Sequence, residues 1–181
     1  DLKFGTPTSV SARVNTASGW VFHNSDKLFF YGAGNYYFGT NAGALNEFGT
    51  DNVFIGDNAG KSMTNGTGNC ALGDEAMTAL QDGAANIGIG TGALRYLTNG
   101  NYNVAIGQDA LGLVKSGSQG IAIGRDAGFG ATNTSMGLFL GDFAGENHKI
   151  GDLVGYIGAL AGGPASLSNA SYCLSVMLTV G

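Results

Sequence analysis

Charged side chains and proline are scarce in this sequence. Only 12% of its 181 residues are charged, proline occurs twice, and 13 acidic residues outnumber 8 lysines and arginines. Because no basic cluster is present, the chain lacks the electrostatic footprint of a nucleic-acid groove or of a surface for anionic membranes. No apolar run approaches the roughly 18 residues of a membrane span. We therefore expect no nucleic acid partner and no membrane insertion.

Motifs that carry chemistry are also missing. The sequence contains no nucleophile elbow, no phosphate-binding loop and no Cys-x-x-Cys pair. His23 and His148 lie too far apart, in the repeat described next, to share a metal or a proton relay. Cys70 and Cys173 are too far apart in the same way to form a disulfide. The sequence predicts a non-enzymatic protein with no catalytic residue, no cofactor and no metal site.

Glycine is abundant instead, and it recurs at one fixed interval. Among the 33 glycines, eight follow a large apolar residue at intervals of 17 residues: Gly39, Gly56, Gly73, Gly90, Gly107, Gly124, Gly141 and Gly158. We call these the repeat glycines; an alanine follows each of them three residues later. A short, unbroken period is the signature of a solenoid. The sequence predicts a mainly β protein, a parallel β-solenoid or β-roll of about ten coils.

The repeat divides one domain into three parts. Residues 1–34 are predicted to be degenerate coils that form an N-terminal cap, and residues 35–163 the regular solenoid. The period extended backwards places coil anchors at positions 5 and 22, where Gly5 obeys the repeat and Phe22 does not. Residues 164–181 are predicted to form a C-terminal capping strand that keeps the period, with Ser175 in the place of glycine. The second half of each coil, for example 74–83, fits either one or two short helical turns or, as the competing interpretation, a short second strand or an irregular arc.

Alternation along the strands predicts which residues form the core. The residues three before and directly before each repeat glycine, such as Val53 and Ile55, are expected to point inward. The residue between them is expected to point outward, and four consecutive coils carry Ala71, Gly88, Ala105 and Ala122 there. This small-residue row predicts close contact with neighbouring chains in a homotrimer. The alternative is a solvent-facing strand whose small residues suit a tight coil.

Two further columns have structural interpretations. Asparagine lies four residues before the glycine in five coils: Asn35, Asn52, Asn69, Asn86 and Asn103. Stacked asparagines predict a ladder of amide hydrogen bonds. Carboxylates near the glycines, at Asp57, Asp74, Glu75, Asp109, Asp126 and Asp142, could bind calcium or act as the paired acids of a glycosidase. The favoured interpretation is that they cap the half-coils or pair with neighbours such as Arg125.

The run Asn-Val-Ala-Ile-Gly-x-x-Ala at 103–110 resembles the head repeat of YadA-type trimeric autotransporter adhesins. It is also similar to the repeats of bacteriophage tail-fibre and tailspike proteins. The resemblance covers residues 35–163; it implies a homotrimer of parallel β-rolls. The 17-residue period and the Ala-Leu-x-x-Leu half-coil are closer to the phage repeat.

On this resemblance we expect a structural and receptor-binding segment of a phage tail fibre, located on the virion. It would attach the virion to a bacterial surface glycan or outer-membrane protein by presenting three copies of one site. The alternatives are an adhesin head on a bacterial cell surface and a polysaccharide depolymerase tailspike fragment. Aromatic residues taken to be exposed near the ends are the candidate receptor contacts: Trp20, Tyr31, Tyr37, Tyr156 and Tyr172. The alternative is that these rings plug the ends of the core.

Overall fold

The described residues form one twelve-stranded sheet in which every strand pairs with its neighbour in sequence. The computed structural model describes residues 11–15, 19–23, 28–31, 34–133, 135–146, 148–149, 154–162 and 173–176, with side chains from residue 34 to 162 within these ranges. The strands are β1 Ser11–Asn15, β2 Gly19–His23, β3 Leu28–Tyr31, β4 Asn35–Phe38, β5 Val53–Ile55, β6 Cys70–Leu72, β7 Ile87–Ile89, β8 Val104–Ile106, β9 Ile121–Ile123, β10 Leu138–Leu140, β11 Val154–Ile157 and β12 Cys173–Val176.

Strands β4 to β11 stack in parallel, one per coil. Residue pairs such as Phe54 with Ala71 and Ala105 with Ala122 are neighbours across adjacent strands, each pair 17 residues apart. The eight strands enclose seven turns of the chain. At ~4.8 Å per parallel strand these seven turns span about 34 Å. The predicted parallel β-solenoid is confirmed, with about seven turns instead of about ten.

The N-terminal strands account for part of the difference in the number of coils. Strands β1, β2 and β3 pair in antiparallel fashion, and β3 pairs in antiparallel fashion with β4. Phe22 lies opposite both Ala12 and Leu28 in this ribbon, so it is not the anchor of a coil. The anchor predicted at Gly5 lies outside the described residues. Because β3 pairs with β4, the first coil of the solenoid has no open strand edge on that side.

The last described strand is parallel to its neighbour but changes the period. Val154 pairs with Cys173 and Ile157 with Val176, so this coil contains 19 residues. Ser175 consequently lies opposite Tyr156 and does not occupy the position of a repeat glycine. The prediction that the 17-residue phase continues into this strand is wrong. An insertion of two residues preserves the alternation of side chains, because the strand repeat is two residues.

The second half of each coil is an arc of successive turns. Among the described residues there is no helix. Left-handed backbone recurs at alternate positions, with φ of 56° at Glu75 and 53° at Met77, where a helix would need about −63°. The N–H of Met77 donates to the carbonyl of Ala93 in the next coil over 2.9 Å. Of these alternatives, the irregular arc is the one observed, and isolated parallel bridges such as that between Thr67 and Ala84 take the place of a second strand.

The core lies on the opposite face of the strands from the one expected. Ala71, Ala105 and Ala122 are 0% exposed and Gly88 is buried, whereas Ile55 and Leu72 are 37% and 43% exposed. The predicted inward columns therefore point outward. The predicted trimer-contact row points into its own coil, so that prediction needs correction. Nothing in these four residues is available for contact with another chain.

The physical reason lies in the arc, whose side chains fill the interior. Met77, Leu80, Leu94, Leu97, Leu111 and Val114 are at most 2% exposed, so the strand opposite them has room for only a small residue. Where the strand carries Phe54, 0% exposed, the arc carries Gly60 in place of methionine or leucine. A Cβ at Gly60 would lie 2.6 Å from the Phe54 ring. Tyr37, Phe139 and Tyr156 face Gly43, Gly145 and Gly162 in the same way.

The asparagine column forms the predicted ladder. Its five members are 0 to 3% exposed. The Oδ1 of Asn69 accepts the backbone N–H of Asn86 at 3.0 Å and its side-chain amide at 2.9 Å. The Asn69 amide donates to Asn52 Oδ1 at 3.1 Å and to the carbonyl of Gly83 at 2.7 Å. Each amide thus ties its own coil closed and links it to both neighbours, and the ladder ends where the Gly120 N–H donates to Asn103.

The repeat glycines are required by the closeness of successive coils. Gly90 has a φ of 126°, and a Cβ there would lie 2.5 Å from the carbonyl oxygen of Gly107. Any other residue would therefore meet both an unfavourable φ and a backbone atom that cannot move aside. Glycine therefore recurs every 17 residues because each coil makes the same close contact with the next coil at this corner.

We predict that two glycine-to-alanine substitutions, compared by their unfolding free energies, will test whether Gly60 packs against the Phe54 ring. Both Gly60 and Gly68 are left-handed, with φ of 57° and 67°, but a Cβ at Gly68 would have nothing within 4 Å. Gly68→Ala should cost about 1 kcal/mol of unfolding free energy from backbone strain. Gly60→Ala should cost about 1 to 3 kcal/mol more, because its methyl overpacks the Phe54 ring. Urea unfolding at one fixed chain concentration measures both; equal costs would contradict the packing described here.

The ladder predicts a large effect for a small substitution. Asn69→Ala removes four hydrogen bonds to oxygen acceptors and the long contact of the amide with the Met63 sulfur, and it leaves the buried backbone N–H of Asn86 without its acceptor. We expect a loss of about 3 kcal/mol or more in unfolding free energy. The matched control is Asn99→Ala, at an exposed asparagine, which should cost less than about 0.5 kcal/mol. Similar losses for the two variants in urea titrations would argue against the ladder.

Candidate interaction face

The outward side chains of the parallel strands form an apolar face, which we call the sheet face. It consists of the residues three before and directly before each repeat glycine, from β4 to β11. Eight of its large side chains are 36 to 46% exposed: Tyr36, Phe38, Ile55, Leu72, Ile87, Ile121, Ile123 and Ile157. Val53, Ile89, Val104, Ile106, Leu138 and Leu140 lie between them, partly exposed. The face is continuous across all seven turns.

Such a face is unusual for a chain on its own. Parallel sheets are found almost only with both faces covered, and here the arcs cover one face. Taking about 180 Å² for a large apolar side chain, the eight exposed residues leave roughly 600 Å² accessible. Monomeric proteins rarely expose more in a single patch, and the partly exposed residues between them add to it. The total approaches the roughly 800 Å² that each partner contributes to a stable interface.

Cys70 lies in the sheet face, between Val53 and Ile87 on the adjacent strands. It is a free thiol of intermediate exposure, and burial raises its pKa. A thiol with a raised pKa is largely protonated near neutral pH and is a weak nucleophile. Cys70 therefore contributes apolar surface to the face in place of reactivity.

Two of the aromatic residues expected to contact a receptor are buried. Tyr37 is 4% exposed and stacks on Phe54 with ring centroids 5.2 Å apart. Tyr156 is 2% exposed and stacks on Phe139 at 5.8 Å. Their expected exposure is wrong, and the alternative, that such rings fill the core, describes them. Burial raises the pKa of Tyr37 to about 12, although a hydrogen bond from the Asn46 amide lowers it in part.

The other three aromatic candidates have no described side chains. Trp20 lies in β2 and Tyr31 in β3, and for both only the backbone pairing is described. Tyr172 lies outside the described residues. Their expected role as receptor contacts therefore stays a prediction.

Exposed aromatic side chains occur elsewhere, on the arcs and corners. Phe48 is 73% exposed, Tyr102 64% and Tyr96 47%. Tyr102 occupies a left-handed corner position that Ala85 and Gln119 fill in the adjacent coils. Its N–H donates to the carbonyl of Ala84 over 3.0 Å, which fixes the backbone beneath the ring. The signal in the sequence was a large aromatic residue in a column that other coils fill with small, polar or flexible residues.

The carboxylates near the glycines have structural partners. Asp57 Oδ1 accepts the N–H of Thr40 at 2.8 Å, and Asp142 Oδ1 accepts that of Arg125 at 3.0 Å, each one coil earlier. Asp142 also lies 3.7 Å from the Arg125 guanidinium. The interpretation that these acids cap the coils and pair with Arg125 is confirmed at these positions. In the described part of the chain, no group of three or more potential ligands is arranged to hold a metal ion.

One ion-pair cluster was not visible in the sequence. Arg95 lies 3.3 Å from Glu75 and 3.2 Å from Asp109, so it bridges the coils on either side of its own. All three side chains are partly exposed, which limits what the pairs contribute to stability. Asp126, one coil beyond Asp109, has a raised pKa, chiefly through burial and then through repulsion by Asp109. The cluster is a set of ion pairs on the surface that connects three successive coils.

Comparison of the chain with protein-family models, with curated proteins and with solved structures gave no match. Within the described residues no helix is long and apolar enough to cross a membrane. What the molecule itself shows is a parallel β-solenoid with an open apolar sheet face.

Proposed function

We propose that this chain is a non-enzymatic structural and receptor-binding segment of a bacteriophage tail fibre. In this proposal it forms a homotrimer on the virion and attaches it to a bacterial surface glycan or outer-membrane protein. The observation that carries the proposal is the sheet face, joined to the repeat's resemblance to phage fibres and trimeric adhesin heads. The rod built of like coils supplies stiffness, and the apolar face supplies a reason to assemble.

The sheet face replaces the alanine row as the proposed contact between chains. Its side chains are large and apolar, with centrally placed Ile87 and Ile121 38% and 39% exposed. Packing three such faces together buries apolar area worth about 25 cal/mol per Å² and removes a surface prone to aggregation. In a coaxial trimer each residue meets its own copies at the same height, so the Cys70 thiols of the three chains lie close together.

Assembly would turn weak recognition into firm attachment. Three copies of one site on a stiff support bind a repetitive surface far more tightly than one copy does. Among the described residues, we place the receptor contact at Tyr102, whose exposed ring stands on a hydrogen-bonded corner. Rings of this kind pack against the apolar faces of sugars, and the exposed amides of Asn101 and Gln119 beside it suit hydroxyl groups.

The head domain of a bacterial trimeric adhesin is the competing proposal, because it would use the same repeat and the same trimer. The ligand distinguishes the two. A fibre segment should bind surface polysaccharide or outer-membrane protein of a bacterium, whereas an adhesin head should bind matrix proteins or host cells.

We predict that charges in the sheet face dissociate the trimer. Wild-type chain should sediment at equilibrium with three times its 18.3 kDa mass. Ile121→Glu combined with Ile123→Glu places two carboxylates on one outward strand, where burial in the interface would be strongly unfavourable, so the variant should sediment as monomer. Circular dichroism should show that the strands remain, because neither side chain lies in the core.

The control adds the same charge elsewhere. Gln81→Glu with Asn99→Asp changes two exposed polar residues on the arcs and should leave the trimer intact. In a Cys173→Ser background and at alkaline pH, where more of the Cys70 thiol is ionised, a short bismaleimide should cross-link chains that keep Ile121 and Ile123 but not those of the Glu variant. A monomeric wild-type chain would refute the proposed assembly.

We predict that Tyr102→Ala weakens binding to the receptor glycan. On an array of bacterial lipopolysaccharides and capsules, the trimer should bind a subset, and loss of the ring should reduce apparent affinity by about tenfold or more, since stacking losses multiply over three sites. Tyr96→Ala, at a less exposed arc tyrosine, is the control and should bind normally. Release of reducing sugar from any of these polymers would contradict the non-enzymatic assignment and indicate a depolymerase.

A further inference from the structure

His148 stands in a core column that is apolar in the coils that follow β5 to β9, and polar in the first coil, where the Asn46 amide donates to the Tyr37 hydroxyl. Seven residues after the repeat glycine, successive coils place Met63, Leu80, Leu97, Val114 and Ala131, each at most 2% exposed. His148 takes this position in the coil between β10 and β11 and is only 3% exposed. An ionisable side chain has therefore replaced an aliphatic one at a site where water does not reach.

Aromatic rings surround the imidazole. Its ring centre lies 6.1 Å from that of Phe139 and 5.7 Å from that of Tyr156. The Tyr156 hydroxyl is 3.3 Å from Nδ1, within hydrogen-bonding range. Nε2 is buried and, in the described part of the chain, has no hydrogen-bond partner. Either neutral tautomer thus leaves one ring nitrogen unsatisfied, and the imidazolium would bury a charged N–H without an acceptor.

No carboxylate among the described residues compensates such a charge. The charged neighbours in the same coil are Glu146 and Lys149, and neither forms an ion pair with the imidazole. On the preceding coil, the residues whose N–H groups donate to the carbonyls of Glu146 and Lys149 are Gly130 and Thr132, which carry no charge. The titratable side chain packed against the ring is that of Tyr156, whose hydroxyl is not a carboxylate that could pair with the imidazolium; Asp152 lies outside the described residues.

The consequence for stability follows from proton linkage. Burial lowers the pKa of His148 from its ordinary value of 6.5. The opened coil therefore takes up a proton more readily than the closed one. Closure is fully favoured above pH 6.5, and it weakens as the pH falls from there toward the lowered pKa of the closed form. Over that pH window, the equilibrium constant for opening the coil rises by up to a factor of ten for each pH unit of acidification.

We propose that His148 is an acid-sensitive latch for the C-terminal end of the solenoid. Proton uptake opens the coil between β10 and β11 and loosens β11 from the stack, while the asparagine-laddered coils from β4 to β8 stay closed. The proposal is independent of the proposed function, because it concerns the stability of one coil in any assembly of this chain.

Hydrogen exchange of the whole chain between pH 7.5 and 5 tests the latch. After correction for intrinsic exchange rates, wild-type amides that pair with the neighbouring coil, such as Gly145 and Gly158, should lose protection progressively below pH 6.5. The loss should approach tenfold per pH unit, and amides such as Gly73 and Gly90 should keep their protection. Uniform loss along the stack, or none, would overturn the proposal.

The matched variant is His148→Leu, since leucine fills this column at Leu80 and Leu97. Its C-terminal protection should not fall over the same pH range, although His23 and all carboxylates are retained. Tyr156→Phe removes the hydroxyl but keeps the imidazole, so it should retain the acid sensitivity. An unchanged pH profile in His148→Leu, or its abolition in Tyr156→Phe alone, would refute the assignment to His148.

Discussion

The structure depends on how one narrow interior is divided between a strand and an arc. Seventeen residues enclose a space that holds one strand side chain, one alanine and two side chains from the arc. In the coil whose arc supplies Leu94 and Leu97, the strand has room only for Gly88. In the next coil, whose arc supplies Leu111, the strand carries Ala105. If the strand supplies Phe54, the arc gives up its side chain at Gly60. Close packing makes these choices interdependent, because neither a void nor an overlap is tolerated.

This division explains which parts of the fold were predictable. The period and the parallel stacking follow from glycines and alanines that recur in all eight coils, and the ladder follows from asparagines that recur in the first five; each was predicted. The facing of the strands was not, because both faces are apolar and alternation cannot distinguish them. The larger residues were assigned to the interior on hydrophobicity alone. The facing of the strands is indicated by an inverse relation between the side-chain sizes of strand and arc, as in the pairs Phe54 with Gly60 and Ala105 with Leu111.

The reversed facing also changes where contact with other molecules can occur. The small residues that were predicted to contact a neighbouring chain line the core, and the large apolar residues of the strands point outward. Polar side chains would suffice there if the chain worked alone, since the interior needs nothing from that face. Ile, Leu, Val and Phe nevertheless persist there over all seven turns, and our proposal accounts for this by burial against copies of the same face.

In our proposal, receptor binding then uses the surface that is taken up neither by the contacts between coils nor by assembly. The core columns, the repeat glycines and the ladder are fixed by contacts with the coils above and below, and the sheet face is committed to assembly in our proposal. The corners and the outer arcs carry no such constraint, so neighbouring coils differ there: the corner column reads Asp51, Gly68, Ala85, Tyr102, Gln119 and Met136. A side chain at such a corner can change without disturbing the stack. In our proposal, a rod of this construction can therefore acquire a binding site at Tyr102 while its fold and its proposed assembly face stay the same.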